Sequence, residues 1–79
     1  MIKIAKNEAI LKIEVIDGTA EITTNGAAYF TDNTEDVKKI QRFIASAKRN
    51  VCPDGTEGKT YRDEAKMWDL VKWMINKEA

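Results

Sequence analysis

Histidine is absent from this chain of 79 residues, and cysteine and proline occur once each. Without histidine, the chain lacks the commonest general base near neutral pH and the commonest metal ligand. The single cysteine cannot form an internal disulfide. No apolar run approaches the ~18 residues of a membrane span, and the first residues lack the apolar segment of a signal peptide. The sequence therefore predicts a cytoplasmic protein without a membrane partner.

Net charge is also absent, because thirteen basic side chains balance thirteen acidic ones. A neutral molecule has no overall field that would attract nucleic acid or an anionic membrane. The two signs are nevertheless unevenly distributed along the chain. Residues 1–37 carry seven acidic and three basic side chains, whereas residues 38–79 carry six acidic and ten basic ones. We therefore expect opposite charges to collect on different parts of the molecule.

Candidate catalytic groups are scarce. Cys52 has no histidine partner, and the Pro-Asp-Gly that follows it is typical of a turn. Ser46 has no activating base in a recognisable pattern. The glycines near Lys59 lack the spacing of a phosphate-binding loop, and the acidic residues of 54–57 lack the spacing of a calcium loop. We therefore predict a protein that is not an enzyme and has no catalytic residue, no cofactor and no metal site.

The first 31 residues contain a succession of strand patterns. Asp17-Gly18 and Asn25-Gly26 are pairs that favour two-residue hairpin turns. Alternation of apolar and polar residues predicts strands at residues 2–5, 9–16, 19–24 and 27–31. The first of these is short, so we expect an antiparallel meander of three or four strands.

The predicted hairpin register separates two faces of the sheet. Leu11, Ile13 and Val15 belong to the core face and lie opposite Thr24, Ile22 and Ala20. A two-residue second turn adds Ala27 and Tyr29 to that face and points Phe30 outward, whereas a longer turn exchanges Tyr29 and Phe30. On the other face, Glu14 lies opposite Glu21, a like-charge pair that is unfavourable unless it has a use or a neighbouring cation. We predict that Glu14, Glu21 and Phe30 form part of a protein-binding surface.

Two helices are predicted after the strands, at residues 34–50 and 60–78. The first begins with cap residues and acids, and its apolar stripe comprises Val37, Ile40, Phe43, Ile44 and Ala47. The second begins at the Thr60 cap after a loop at residues 52–59, and it has an unusually broad apolar surface containing Tyr61, Ala65, Met67, Trp68, Leu70, Val71, Met74 and Ile75.

Trp73 lies on the opposite side of the second predicted helix. Its neighbours at helical spacing are Lys66, Asp69 and Lys77. A tryptophan within a charged rim is typical of a binding hot spot, although a singly exposed aromatic is often ordinary surface. We predict that these four residues bind a protein partner.

Lys38, Lys39, Arg42 and Arg49 lie outside the apolar stripe of the first helix. Such a basic side could neutralise several phosphates, so nucleic-acid binding is an alternative function. Basic residues on the wet side of a helix are also common without any ligand, and they complement the dipole near its C-terminal end.

Residues 34–37 and 43–50, Thr-Glu-Asp-Val and Phe-Ile-Ala-Ser-Ala-Lys-Arg-Asn, resemble small phage-encoded anti-CRISPR inhibitors of Cas9 in their helical pattern. In that group, too, a short meander is followed by a helix, a loop and a last helix. The resemblance implies an inhibitor that acts in the host cytoplasm on a nucleoprotein effector.

Together, these observations predict an α+β domain in which two helices pack on one face of an antiparallel β-meander. Its predicted function is that of a small protein-binding module, an inhibitor or adaptor of a macromolecular target. A nucleic-acid-binding domain and a homodimeric structural protein are the alternatives.

Overall fold

A three-stranded antiparallel sheet followed by two helices makes up the α+β fold in the computed structural model, which describes residues 1–49 and 64–79. The strands follow one another in space in the order β1-β2-β3. This architecture confirms the predicted meander and helices. The elements are β1 (Ile10–Ile16), β2 (Thr19–Thr24), β3 (Ala28–Thr31), α1 (Thr34–Lys48) and α2 (Glu64–Glu78).

The first hairpin has the predicted two-residue turn. Asp17 and Gly18 both adopt positive φ angles, 51° and 80°, as a type I′ turn requires. The register next to the turn pairs Val15 with Ala20 and Ile13 with Ile22, which confirms the prediction for this half of the hairpin.

A bulge changes the other half of the hairpin. Ile10 pairs with Thr24 and Lys12 pairs with Thr23, so Leu11 is an extra residue in β1. One extra residue reverses the alternation of faces; Ile10 consequently enters the core, and Leu11 is 58% exposed. The predicted pairing of Leu11 with Thr24 and its place in the core are therefore wrong.

The predicted strand at residues 2–5 does not form. The backbone N–H and C=O of Ile4 both bond to the side chain of Asn76, in place of a neighbouring strand. A turn follows, in which the N–H of Glu8 donates to the carbonyl of Ala5 at 3.0 Å. The segment of residues 1–9, which we call the N-terminal segment, therefore lies against α2, and the sheet has three strands.

Thr24 closes the second turn. Its N–H donates to the carbonyl of Ala27 at 2.8 Å, and its Oγ1 accepts from the N–H of Ala27 at 2.9 Å. This two-residue turn points Phe30 outward and half-buries Tyr29 on the core face opposite Ile22. Ala27 itself is exposed at the end of the hairpin, so its predicted place in the core is wrong.

Helix α1 begins as its sequence predicts. The Asn33 side chain caps it by accepting from the N–H of Asp36 at 3.1 Å, and Glu35 and Asp36 lie in the first turn. The helix ends at Lys48, with Arg49 as its C-cap, slightly before the predicted end. The predicted stripe faces the core, where Ile44 is half-buried and the other four residues, Val37, Ile40, Phe43 and Ala47, are buried.

The core lies between the inner face of the sheet and both helices, with α1 over β2, α2 over β1, and the helices against each other. Helix α2 contributes five buried side chains, Trp68, Leu70, Val71, Met74 and Ile75, and the sheet's Ile13 and Val15 are half-buried against this cluster.

Several predicted features lie outside the described residues, namely the loop at 52–59 with Cys52, the Thr60 cap and Tyr61. In the described part of the chain, no helix is both long enough and apolar enough to cross a membrane.

Candidate protein-interaction surface

Trp73 projects from the side of α2 that faces away from the core. Because Val71, Met74 and Ile75 fix the buried side of the helix, the indole of Trp73 is left 43% exposed. The Nζ of Lys77, one turn further along, lies 4.9 Å from the centroid of the indole ring. This cation–π contact lies within the range at which a lysine holds an aromatic ring in place.

The N-terminal segment packs beside Trp73 through two side chains of α2. The Asn76 amide accepts from the N–H of Ile4 at 2.7 Å and donates to its carbonyl at 2.9 Å, as a neighbouring strand would. The Nζ of Lys72 donates to the carbonyl of Lys6 at 2.9 Å and also to the carbonyl of Glu8. The Ile4 side chain is buried beneath this junction.

The far end of the N-terminal segment is fixed to the sheet by Glu8. Its carboxylate accepts from the hydroxyl of Thr24 at 2.6 Å and from the hydroxyl of Tyr29 at 2.7 Å. The hydrogen bonds from Thr24 and Tyr29 lower the pKa of Glu8, and the bond to Glu8 in turn raises the pKa of Tyr29. The carboxylate thus joins the segment to β2 and β3, while the backbone of the same segment joins it to α2.

Between the N-terminal segment and α2 lies a groove of about 390 Å³. We call it the Trp73 groove; its lining residues are Lys3, Ile4, Lys6, Asp69, Lys72, Trp73 and Asn76. An exposed indole, an aliphatic side chain and several charges thus meet in one concave surface. Such a combination is typical of the centre and rim of a protein interface.

Comparison with protein-family models, curated proteins and solved structures finds no match.

Two of the three charged residues predicted to bind with Trp73 lie next to it. Asp69 lines the groove, and Lys77 contacts the indole. Lys66 is exposed on the same side of the helix, two turns before Trp73, and it does not line the groove.

A second candidate surface is the outer sheet face, which we define as the side of the sheet opposite the helices. Glu14, Glu21 and Phe30 form one row across the three strands, and Phe30 is 64% exposed. The like-charge pair of Glu14 and Glu21 has a neighbouring cation, Lys12, whose Nζ lies 3.0 Å from the Oε1 of Glu14. The structure thus brings these three predicted site residues together, and none of them lines the Trp73 groove.

The four basic residues of the alternative nucleic-acid site do not act as one group. Lys38 and Arg42 line a shallow concavity that also contains Glu35. Lys39 points toward α2, where its Nζ lies 3.5 Å from the Oε2 of Glu78. Arg49 is the exposed C-cap residue of α1.

The predicted binding residues did not include the four other polar residues of the groove, Lys3, Lys6, Lys72 and Asn76, although helical spacing places Asn76 beside Trp73. Lys72 and Asn76 lie one turn apart on α2 and beside Trp73. Their spacing indicated that another segment of the chain could bind to that side of the helix. The contribution of Lys3 and Lys6 was hidden, because the alternating pattern of residues 2–5 favours a strand in the sheet.

The polar groups of the groove and its surroundings differ in how many hydrogen bonds they already make. Within residues 1–49 and 64–79, no three cysteine or acidic side chains come close enough to hold a metal ion. The Glu8 carboxylate is occupied by two hydroxyl donors, and the Lys72 ammonium by two carbonyls. The accessible groups of the Trp73 groove are therefore an indole, the side chains of Lys3 and Lys6, and the Asp69 carboxylate.

Proposed function

We propose that this chain is a small protein-binding module without enzymatic activity, which acts stoichiometrically as an inhibitor or adaptor of a macromolecular target. The observation that carries the proposal is the exposed indole of Trp73 in a concave surface with charged neighbours. Tryptophan is enriched among the residues that dominate binding energy, and such residues lie near the centre of an interface. The target class implied by the anti-CRISPR resemblance remains a prediction.

The hydrogen bonds that hold the walls of the groove together support this function. Asn76 and Lys72 fix the backbone of the N-terminal segment, Glu8 fixes its far end, and Lys77 contacts the indole. A surface that is ordered before binding loses less conformational entropy when a partner arrives. The groove thus combines a large anchoring side chain with pre-organised surroundings.

The test is a comparison of two aromatic truncations. A tagged chain is used to capture a partner from a lysate, the partner is purified, and its affinity is measured by calorimetry for the wild type, Trp73→Ala and Phe30→Ala. Phe30 is the matched control, because it is also exposed but lies on the outer sheet face. We expect Trp73→Ala to weaken association by ~2 kcal/mol or more, the usual threshold of a hot spot, at one-to-one stoichiometry.

The opposite result would identify another surface. Loss of affinity in Phe30→Ala but not in Trp73→Ala would assign binding to the outer sheet face and reject the Trp73 groove. A molecular mass that rises with concentration, and does so less in Trp73→Ala, would identify the partner as a second copy of the chain.

Nucleic-acid binding through α1 has less support, because Lys39 is paired with Glu78 and Glu35 lies beside Lys38 and Arg42. Retention on immobilised DNA that falls steeply with salt, and is lost in Lys38→Glu/Arg42→Glu, would favour it over protein binding.

A further inference from the structure

The Trp73 groove has an excess of positive charge although the whole molecule is neutral. Its lining contains three lysines, Lys3, Lys6 and Lys72, and a single acidic residue, Asp69. Lys77 adds a further ammonium group beside the indole. The excess arises from the docking of the N-terminal segment, which brings two lysines from the acidic half of the sequence to the second helix, whose own three basic and three acidic side chains balance.

These lysines have different roles. The ammonium of Lys72 donates to two backbone carbonyls, so it mainly holds the N-terminal segment in place. Lys3 and Lys6 are exposed, and no ion pair involves their side chains within the described residues. The ammonium groups of Lys3 and Lys6 are therefore available to form ion pairs with a ligand in the groove.

We propose that the Trp73 groove binds an acidic segment of a protein partner, with an apolar side chain of that segment on Trp73 and its carboxylates near Lys3 and Lys6. This inference rests on the proposed protein-binding function and adds the chemistry of the partner. Several charges of one sign around an aromatic anchor accelerate association with an oppositely charged surface and disfavour partners of like charge.

The geometry favours an acidic protein over a single-stranded nucleic acid. Nucleic-acid channels stack successive bases on several aromatic side chains, whereas this groove contains one aromatic ring. The carboxylate of Asp69 would repel phosphates and carboxylates alike, but it can accept hydrogen bonds from the backbone N–H groups of a peptide, which a nucleic-acid backbone lacks.

The experiment selects ligands from a library of random 12-residue peptides on the immobilised full chain, in parallel with three variants. Trp73→Ala removes the anchor, Lys3→Glu/Lys6→Glu reverses the exposed charges, and Lys38→Glu/Arg42→Glu makes the same charge change on α1. The most enriched peptide is then synthesised, and its affinity is measured at low and moderate salt, beside an oligothymidylate of twelve nucleotides. Thermal unfolding verifies that each variant is folded.

We expect the peptides selected by the wild type to be acidic with an apolar residue. Affinity for the synthesised peptide should fall by about tenfold in Lys3→Glu/Lys6→Glu, because two favourable ion pairs become repulsive, and it should fall as salt rises. It should stay unchanged in Lys38→Glu/Arg42→Glu. Should the lysine reversal perturb folding, Lys3→Gln/Lys6→Gln supplies the same comparison without repulsion, with a smaller loss.

The outcomes separate this inference from the proposed function. Selection of neutral or basic peptides, or equal affinity after the lysine reversal, overturns the acidic partner while Trp73→Ala still tests the anchor. Peptides that bind Trp73→Ala as tightly as the wild type reject the groove itself. Tighter binding of the oligothymidylate than of any selected peptide would overturn the acidic protein in favour of a nucleic acid.

Discussion

Two tryptophans on one helix of this protein face opposite environments. Trp68 is buried in the core with Val71 and Ile75, whereas Trp73 is exposed beside Lys77. At the scale of single residues, this contrast separates stability from binding, because burial supplies most of the free energy that a large side chain contributes to folding.

The two tryptophan truncations should therefore differ in their effect on stability. We expect Trp68→Ala to lower the free energy of unfolding by ~3–5 kcal/mol, the range for a buried tryptophan. Trp73→Ala should lower it by clearly less than Trp68→Ala does, since 43% of Trp73 is already exposed in the folded protein and only 8% of Trp68 is. Denaturant unfolding of both variants measures the difference, and equal losses would show that Trp73 contributes to the core as Trp68 does.

Glu8 predicts a pH dependence of stability. Its carboxylate accepts hydrogen bonds from Thr24 and Tyr29, which lower its pKa in the folded state below the ordinary value of 4.5. A lowered pKa contributes stability that is fully present above the unfolded pKa and is lost as pH falls through the folded pKa. We expect the unfolding midpoint of the wild type to decline below pH 4.5, and that of Glu8→Gln to decline less over the same window.

Tyr29→Phe provides the matched comparison, because it removes one of the two hydroxyl donors and retains the ring. Its pH dependence should fall between those of the wild type and Glu8→Gln. Identical pH profiles for the wild type and Glu8→Gln would show that the hydrogen bonds do not couple to folding.

The bulge in β1 belongs to the scale of secondary-structure elements. It decides which of two adjacent apolar residues, Ile10 or Leu11, is buried. Ile10→Ala should lower the free energy of unfolding by ~2–5 kcal/mol, as truncations of buried isoleucine do. Leu11→Lys should change it by no more than ~0.5 kcal/mol, which is usual for exposed positions. Chemical denaturation of the two variants provides the test, and a larger loss in Leu11→Lys would support the unbulged register.

Asn76 connects two elements that are not paired as strands. Asn76→Ala leaves the N–H and C=O of Ile4 without their partner, a loss that costs ~1–3 kcal/mol where such groups are shielded from water. Hydrogen exchange at the Ile4 amide should accelerate, while exchange in β2 changes only in proportion to global stability. Lys77→Ala, one position along the helix, is the control. Unchanged protection of Ile4 would contradict the docking of the segment.

The elements that the sequence predicted well are those whose signals are local. The Asp17-Gly18 turn, the Asn33 cap and the apolar stripe of α1 each depend on neighbouring residues and are confirmed. The bulge has no such local signal. It lies at the start of β1, next to contacts with the second turn: the N–H of Asn25 donates to the carbonyl of Ala9, and the Asn25 side chain accepts from the N–H of Ala9.

The docking of residues 1–9 could not be predicted for a related reason. An alternating segment such as Ile2 to Ala5 can hydrogen-bond to a neighbouring strand or to a helix side chain. Which of the two occurs here depends on Asn76, which is far from this segment in the sequence. Trp73 was identifiable as a candidate from helical spacing alone. Its partners in the groove, Lys3 and Lys6, required the tertiary structure.

At the scale of the whole molecule, charges of opposite sign collect on two different surfaces. The outer sheet face presents Glu14 and Glu21, while the Trp73 groove presents Lys3 and Lys6. The uneven distribution of charge along the sequence thus indicated that charges of opposite sign would be separated in the structure. Lys3 and Lys6 are the exception, because they belong to the acidic first half of the sequence but add positive charge to the groove.

The outer sheet face yields a prediction of its own. Glu14→Gln/Glu21→Gln removes a cross-strand repulsion and an exposed ion pair with Lys12, so stability should stay the same or rise slightly. If a basic partner approaches this face, its association should become slower, most clearly at low salt. Stopped-flow association rates across a salt series measure the effect. Equal rates for the wild type and the variant would exclude a binding role for the two glutamates.

The hydrogen bonds between Ile4 and Asn76 join residues that are 72 positions apart. During synthesis, Lys3 and Lys6 leave the ribosome long before the helix that carries Trp73. The nascent chain therefore cannot present this groove until α2 has emerged. A chain that stops before α2 would contain both hairpins and α1 but no anchor, so a target that recognises the groove would not engage it.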